Sequence, residues 1–355
     1  MRLSPTGEAI ERFRWAWSLY RAQQLLQVYT LAWLVHCAYN YTTVSLRPEV
    51  LFGPEHWFGR LFMPQLPEPW VFYGTLIVTA GVTVWVLWRG GSVGMRLIQV
   101  LLLLYVNLPL WSYGFASHVS HLFLLAHLFG VFIQWRRPVF GEVSPEYVRS
   151  LQLYLLGLLL TYGWSGAWKV VGLVYKFGWQ PGAVNWLHPD AALLNAIVSF
   201  RNYDEALIPV AWIAATKPFW IFGFFVVLYI QLLSPLGAFR LWVHPWLALG
   251  LVIFHYMNIV AFHTHFYTAP ILVVLLLWPY WRSKACQAQI PSIQVSQLLR
   301  GTYTRRYENG DEDVYQGRYA ALLGYWQDKG PWLAGLLAAP LLGPVLARML
   351  PFPKS

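Results

Sequence analysis

Apolar residues run through this chain in long blocks, parted by short polar or aromatic-rich stretches. Eight blocks approach the ~20 residues that cross a bilayer as a helix. They fall at 24–42, 70–88, 93–111, 118–135, 150–170, 216–237, 242–262 and 266–281. A ninth block, 331–350, is interrupted by Pro331, Pro340 and Pro344. There a re-entrant or surface helix competes with a further span. The pattern predicts an all-α polytopic membrane protein, a bundle of about eight transmembrane helices.

Composition agrees: of 355 residues 57% are hydrophobic and only 11% charged, against roughly 25% charged in an ordinary soluble domain. The first 21 residues hold Glu8, Glu11, Arg12, Arg14 and Arg21 with no apolar core. They predict an amphipathic surface helix rather than a cleaved signal. Cys37 sits in an apolar block and Cys286 in a polar tail, which leaves no disulfide framework and no cysteine zinc site.

The formal charge of +10 is scattered between apolar blocks, which argues against nucleic acid as a partner and for membrane topology. Arginine and lysine concentrate at the N-terminus, after the second, fourth and sixth blocks, and in the tail after the eighth. By the positive-inside rule these parts are cytoplasmic, the N-terminus included. The expected organisation is an amphipathic segment over 1–21 and a transmembrane domain over 22–282, with exterior loops at 43–69 and 171–215. A polar cytoplasmic tail follows over 283–330, partly disordered or a short surface domain, and then an apolar segment over 331–355.

All fifteen Asp and Glu fall outside the expected spans, which removes carboxylate-bridged metal sites and carboxylate proton relays from the membrane interior. What remains there is His, Trp, Tyr and the lysine of one particular stretch. In "YGWSGAWKV" (162–170), Tyr162, Gly166 and Lys169 recur at i, i+4, i+7 and share a helix face. Gly166 allows a helix or a ligand close to the backbone. Lys169 either snorkels to the interface or, buried, gives up its proton and becomes a usable base. His118 and His121 share a face at the start of the fourth block, with His127 turned away from them. His255, His263 and His265 lie in or near the outer half of the seventh. Most of these gather on the side of Lys169, which predicts a polar site at the outer mouth. The competing reading is an interfacial belt of aromatic and histidine side chains. The histidine pairs lack the spacing of membrane di-iron boxes, and bis-histidine haem ligation is the other metal reading.

"YGWSGAWKV", followed ten residues later by "FGWQPGAV", resembles the Y-x-x-x-G-x-x-K…W-x-x-G signature of the HTTM (horizontally transferred transmembrane) domain. That family includes the transmembrane domain of vitamin K-dependent gamma-carboxylases and many bacterial proteins. The matching residues are Tyr162, Gly166, Lys169, Trp179 and Gly182. "SHVSHLFLL" is similar to the family's histidine-bearing helix start, matched by His118 or His121. The run ending "FHYMNIVAF" is similar to its late helices, matched by His255. The likeness covers roughly residues 15–282.

The resemblance implies that Lys169 is a base that deprotonates a hydroquinone such as vitamin K, assisted by His118 or His121. Tyr162, Gly166, Trp179, Gly182 and His255 would then line the substrate. Two departures stand out: the loop from Lys169 to Trp179 is longer than in the animal enzymes, and no large lumenal C-terminal region follows. A stand-alone protein of a bacterial inner membrane, rather than of the endoplasmic reticulum, fits better. Three functions stay open: an enzyme acting on a quinol-type lipid, a non-catalytic subunit binding pigment, haem, lipid or partner helices in a membrane complex, and a factor for maturation or export of a secreted peptide.

Overall fold

The computed structural model describes residues 3–54, 57–113, 120–180, 182–200, 208–262, 268–299 and 301–351. Its main helices are α1 (Pro5–Val44), α2 (Pro69–Arg89), α3 (Val93–Trp111), α4 (His121–Gly130), α5 (Pro145–Trp179), α6 (Lys217–Leu233), α7 (His244–Phe262) and α8 (Thr268–Leu277). Three strands follow, β1 (Ile293–Leu299), β2 (Thr302–Tyr307) and β3 (Glu312–Gln316), then α9 (Arg318–Lys329), α10 (Pro331–Ala338) and α11 (Leu342–Met349).

Among the described residues four helical stretches are long and apolar enough to cross a membrane: Pro69–Arg89, Val93–Trp111, Lys217–Phe239 and Leu241–Phe262. They coincide almost to the residue with four of the expected blocks, and the protein is a helical, membrane-embedded one. Trp70 and Trp88 near the two ends of α2 are each 77% exposed. Eighteen residues separate them, about 27 Å along a helix, close to the ~30 Å of bilayer hydrocarbon. Such a pair suits the aromatic belts at the two interfaces.

The expectation of about eight spans is met only in part. Within the described residues α4 and α8 have ten residues each, about 15 Å of helix and half of what a crossing needs. α1 and α5 contain the first and fifth blocks but run to 40 and 35 residues with many polar positions. Length and apolarity therefore support four spans, or five if α10 and α11 make one; that pair is bent by 119°. The bend sits at Pro340 and Leu341, whose φ of 61° is the one positive value at a non-glycine among the described residues. The amphipathic segment expected over 1–21 is continuous with the first block, since α1 passes through both without a break.

The chain divides into two units. One comprises residues 1–19, 138–265 and 277–355, the other residues 20–137 and 266–276. In the second unit, α1 buries Gln23, Leu26, Thr30, Trp33, Cys37, Tyr41 and Val44, and α2 buries Phe72, Leu76, Thr79, Thr83 and Val86. Both series follow the three-and-four spacing of one helix face. Polar side chains inside these stripes pair across helices. Gln99 donates to Gln27 at 2.6 Å and to Thr83 at 3.0 Å, Thr30 meets His127 at 2.9 Å, and Trp33 donates to Asn107 at 3.3 Å.

In the first unit α5 opens on Ser144, whose hydroxyl accepts from the Tyr147 amide, with Pro145 in the first turn. This is the usual chemistry of a helix start. The all-α expectation is corrected here by an antiparallel sheet in the order β1-β2-β3. The tail expected to be partly disordered or a short surface domain holds this sheet, with α9 packed on it. Alternate residues point inward, as strand geometry demands: Tyr303, Arg305 and Tyr307 on β2, Asp313 and Tyr315 on β3. Arg305 forks onto Asp328 (3.0 and 2.7 Å) and reaches Asp313 at 3.4 Å. Tyr307 donates to Asp313 at 2.5 Å. Burial pushes the Tyr307 phenol up, and that of Tyr315 up to about 12, so both stay protonated donors. The N-terminal segment closes this network: the amide and hydroxyl of Ser4 both donate to Asp313, each at 2.9 Å.

Asp313 is thus a buried anion with four donors, and Asp313→Asn should destabilise the sheet by about 3 kcal/mol, the scale of breaking a buried ion pair. Arg306→Gln, which removes the exposed pair with Glu312, should change stability by less than about 1 kcal/mol. Hydrogen exchange of the β2 and β3 amides measures both. Equal protection in wild type and Asp313→Asn would show that the network carries no stability.

Candidate functional site

The buried face of α5 runs Val148, Leu151, Leu155, Leu158, Tyr162, Gly166, and Lys169 comes next in the same series, only partly buried. Lys169 is not at a helix end, because α5 continues ten residues to Trp179, about 15 Å further. Its ammonium donates to the Ser165 hydroxyl at 3.0 Å, one turn back, and lies 5.1 Å from the centre of the Trp186 ring. Trp186 in turn packs edge-on against Phe224 of α6 at 5.4 Å.

Around the ammonium is a small cleft of about 20 Å³, lined besides by Leu173, Leu187, Val227 and Leu228. That is room for about one water molecule. Among the described residues no carboxylate lines it. The charge is held by one hydroxyl and one aromatic face in otherwise apolar surroundings. A cation over an aromatic face gains ~0.5–2 kcal/mol, the more so when desolvated.

The other residues singled out by sequence divide. Tyr162 meets His255 of α7, phenol to Nε2, at 2.9 Å, and both are buried. Gly166 is a helix contact: a Cβ there would lie 3.0 Å from the Leu232 amide nitrogen and 3.1 Å from Gln231 Cβ. Its face is filled by α6, leaving no room for a ligand. Trp179 is 71% exposed and stacks on Tyr175 rather than turning toward Lys169. Gly182 has φ +90° and open space where a side chain would be. It serves a turn.

His121 is exposed at the start of α4, its ring 5.8 Å from Trp111. It belongs to the second unit, whereas Lys169 belongs to the first. His118, His263 and His265 lie outside the described residues. Among the described residues no group of three His, Cys, Asp or Glu comes together as a metal would need. His127, taken as turned away from its neighbours, is 4% exposed and bonded to Thr30.

Sequence reading missed Ser165, Gln231, Trp186 and Phe224. Ser165 carried a signal, standing at i−4 from Lys169. Gln231 lies 3.5 Å from the same hydroxyl and is 1% exposed, a polar residue inside an apolar block. Trp186 and Phe224 had none, since only folding brings them to α5.

With this geometry in hand, comparison with known proteins finds nothing similar: no family model, no curated protein and no solved structure matches the chain.

The close approach of α5 and α6 at Gly166 has a direct test. Gly166→Ala pushes a methyl onto the Leu232 backbone and should cost about 1–3 kcal/mol, as overpacking does. Gly172→Ala, with nothing within 4 Å, should be neutral or stabilise by up to about 1 kcal/mol. Thermal unfolding of both variants in detergent makes the comparison.

Proposed function

We propose that this is a multi-pass protein of a bacterial inner membrane, with a cytoplasmic N-terminus and an HTTM-type transmembrane domain. In this reading α1 and α5 cross the membrane as less apolar, internally packed helices beside the four apolar ones. Lys169 is the working residue. As a neutral amine it would act as a base toward a lipid-soluble quinol, or toward a peptide presented at the outer face. The observation that carries the reading is the setting of its ammonium, off the helix end, in an apolar cleft where, among the described residues, Ser165 and Trp186 hold it and no carboxylate does.

A partly buried lysine with no counter-ion among the described residues is costly to keep charged, and such groups cluster at functional sites. The cleft takes one water and no quinol as it stands, so a substrate enters only if Trp186 withdraws from Phe224. Tyr162 and His255 fix α5 against α7 one to two turns away, and so position the lysine without touching substrate. His118 or His121 is assigned the assisting role on the resemblance alone.

The small cleft favours a second reading, in which Lys169 is structural. Its ammonium would then pin the segment around Trp186 to α5, and the protein would serve as a membrane subunit for pigment, haem, lipid or partner helices.

Three variants separate the two readings. Lys169→Arg keeps the charge and the contact with Trp186, but arginine does not release its proton near neutral pH. If Lys169 is a base, Lys169→Arg and Lys169→Ala should both lose at least about 100-fold in turnover, the scale of general-base catalysis, while thermal stability holds. If it is a pin, Lys169→Arg should behave as wild type, and Lys169→Ala and Trp186→Ala should both lose stability. Without an assay, the quinone, pigment or haem that copurifies serves as readout. Sidedness is tested separately: reporter fusions at Arg137 and Arg282 should read cytoplasmic and one at Trp186 exterior. Reversed signs would remove the outer-face site.

A further inference from the structure

A hollow separate from the lysine site lies at the turn between α2 and α3. It measures about 280 Å³, and its walls include Arg89, Arg96, Arg136 and Arg137. The turn is built on Gly90 and Gly91, at φ 78° and 65°. A Cβ on Gly90 would come within 2.7 Å of the Trp135 carbonyl oxygen. Arg96, 4% exposed, braces the turn by donating to the Gly90 carbonyl oxygen at 2.9 Å. Arg89, Arg136 and Arg137 stay at the rim and are exposed.

Four guanidinium groups meet here, and none of the residues lining the hollow is an Asp or Glu. No Asp or Glu occurs between Glu11 and Glu49 or between Glu68 and Glu142, the stretches that supply every wall of the hollow. Two glutamines of α1 line it as well. Gln23 is 5% and Gln27 1% exposed, yet Gln23 Oε1 and Gln27 Nε2 have no hydrogen-bond partner. The Gln27 carbonyl oxygen is occupied by Gln99, which leaves its amide nitrogen unpaired in the wall of the hollow. A scatter of arginines for topology alone would not place unsatisfied, buried amides beside them.

Guanidinium forks and an amide donor together match the oxygens of a phosphate. Gln23 Oε1 adds an acceptor for a hydroxyl or amine next to it. We propose that this hollow binds a phosphate group, and that the phosphate is the head group of an anionic phospholipid. Its position argues for that source. The hollow lies at the joined ends of two apolar spans, beside the exposed Trp88, the depth at which lipid phosphates and aromatic belts meet. The inference does not depend on the role of Lys169.

The test uses the full chain in detergent with added phosphatidylglycerol, phosphatidylcholine or inorganic phosphate, read by bound lipid in native mass spectrometry and by thermal shift. Wild type should hold phosphatidylglycerol in preference to phosphatidylcholine. Arg136→Gln with Arg137→Gln should weaken that binding about 25-fold, at roughly five-fold per surface arginine, and leave the unfolding temperature in phosphatidylcholine unchanged. Arg47→Gln with Arg60→Gln removes the same charge elsewhere and should have no effect. Equal loss in both double variants would mean general attraction to anionic surfaces and overturn the site. Inorganic phosphate matching the effect of phosphatidylglycerol would overturn the lipid source. Should the double variant fail to fold, Arg89→Gln alone tests the same rim, with a loss of about five-fold expected and no loss overturning the site.

Discussion

Gln99 donates to Gln27 at 2.6 Å between two largely apolar helix faces, and the second unit is organised around contacts of this kind. A polar side chain on a helix bathed in hydrocarbon has no water to turn to. It must find a partner on a neighbouring helix or on its own backbone. Thr79 and Thr83 take the second course, bonding the carbonyl oxygens four residues back at 2.7 and 2.8 Å. Gln27, Thr30 and Trp33 on α1 take the first, and each names the helix that must lie beside it. Measured membrane hydrogen bonds average only ~0.6 kcal/mol. Their value here is in setting rotation and register, because apolar surfaces that face lipid equally well leave both undetermined.

The same constraint explains what could be read from the residues. α2, α3, α6 and α7 are near-continuous apolar runs with boundary signals such as Pro69, the Gly90-Gly91 pair and Ser92, and their limits were legible. α1 and α5 were harder. Their buried faces are amphipathic at ordinary helical spacing, and polar positions such as Gln23, Gln27 and Asn40 dilute the apolar signal without ending the helix. The sheet was hidden for another reason. "TYTRRYENGDEDVYQ" does alternate with period two, and Asn309-Gly310 is a hairpin turn. The inward positions, however, include Arg305 and Asp313. Charge on the buried face reads as solvation until the partners are seen.

The lysine motif was legible as a helix face and illegible as a site. Spacing along α5 correctly set Tyr162, Gly166 and Lys169 in one row. It could not say that α6 would fill the space at Gly166, or that Trp179 would face outward. The groups that do surround the ammonium, Trp186 and Phe224, stand 17 and 55 residues further along the chain. A helical period reports only what its own helix contributes.

The clasp between Ser4 and Asp313 joins residues 309 positions apart in the chain. During synthesis, every apolar helix between them is made before Asp313 emerges. Closing so long a loop is entropically unfavourable for a free chain, but helices already seated in a bilayer shorten the search. The geometry there is unforgiving: a Cβ at Gly7 would come 2.2 Å from the Asp313 carboxylate. The clasp is therefore a late event in maturation and closes only on correctly threaded chains. A single misplaced crossing would leave Ser4 and Asp313 on opposite sides of the bilayer, and the buried carboxylate would lose two of its four donors.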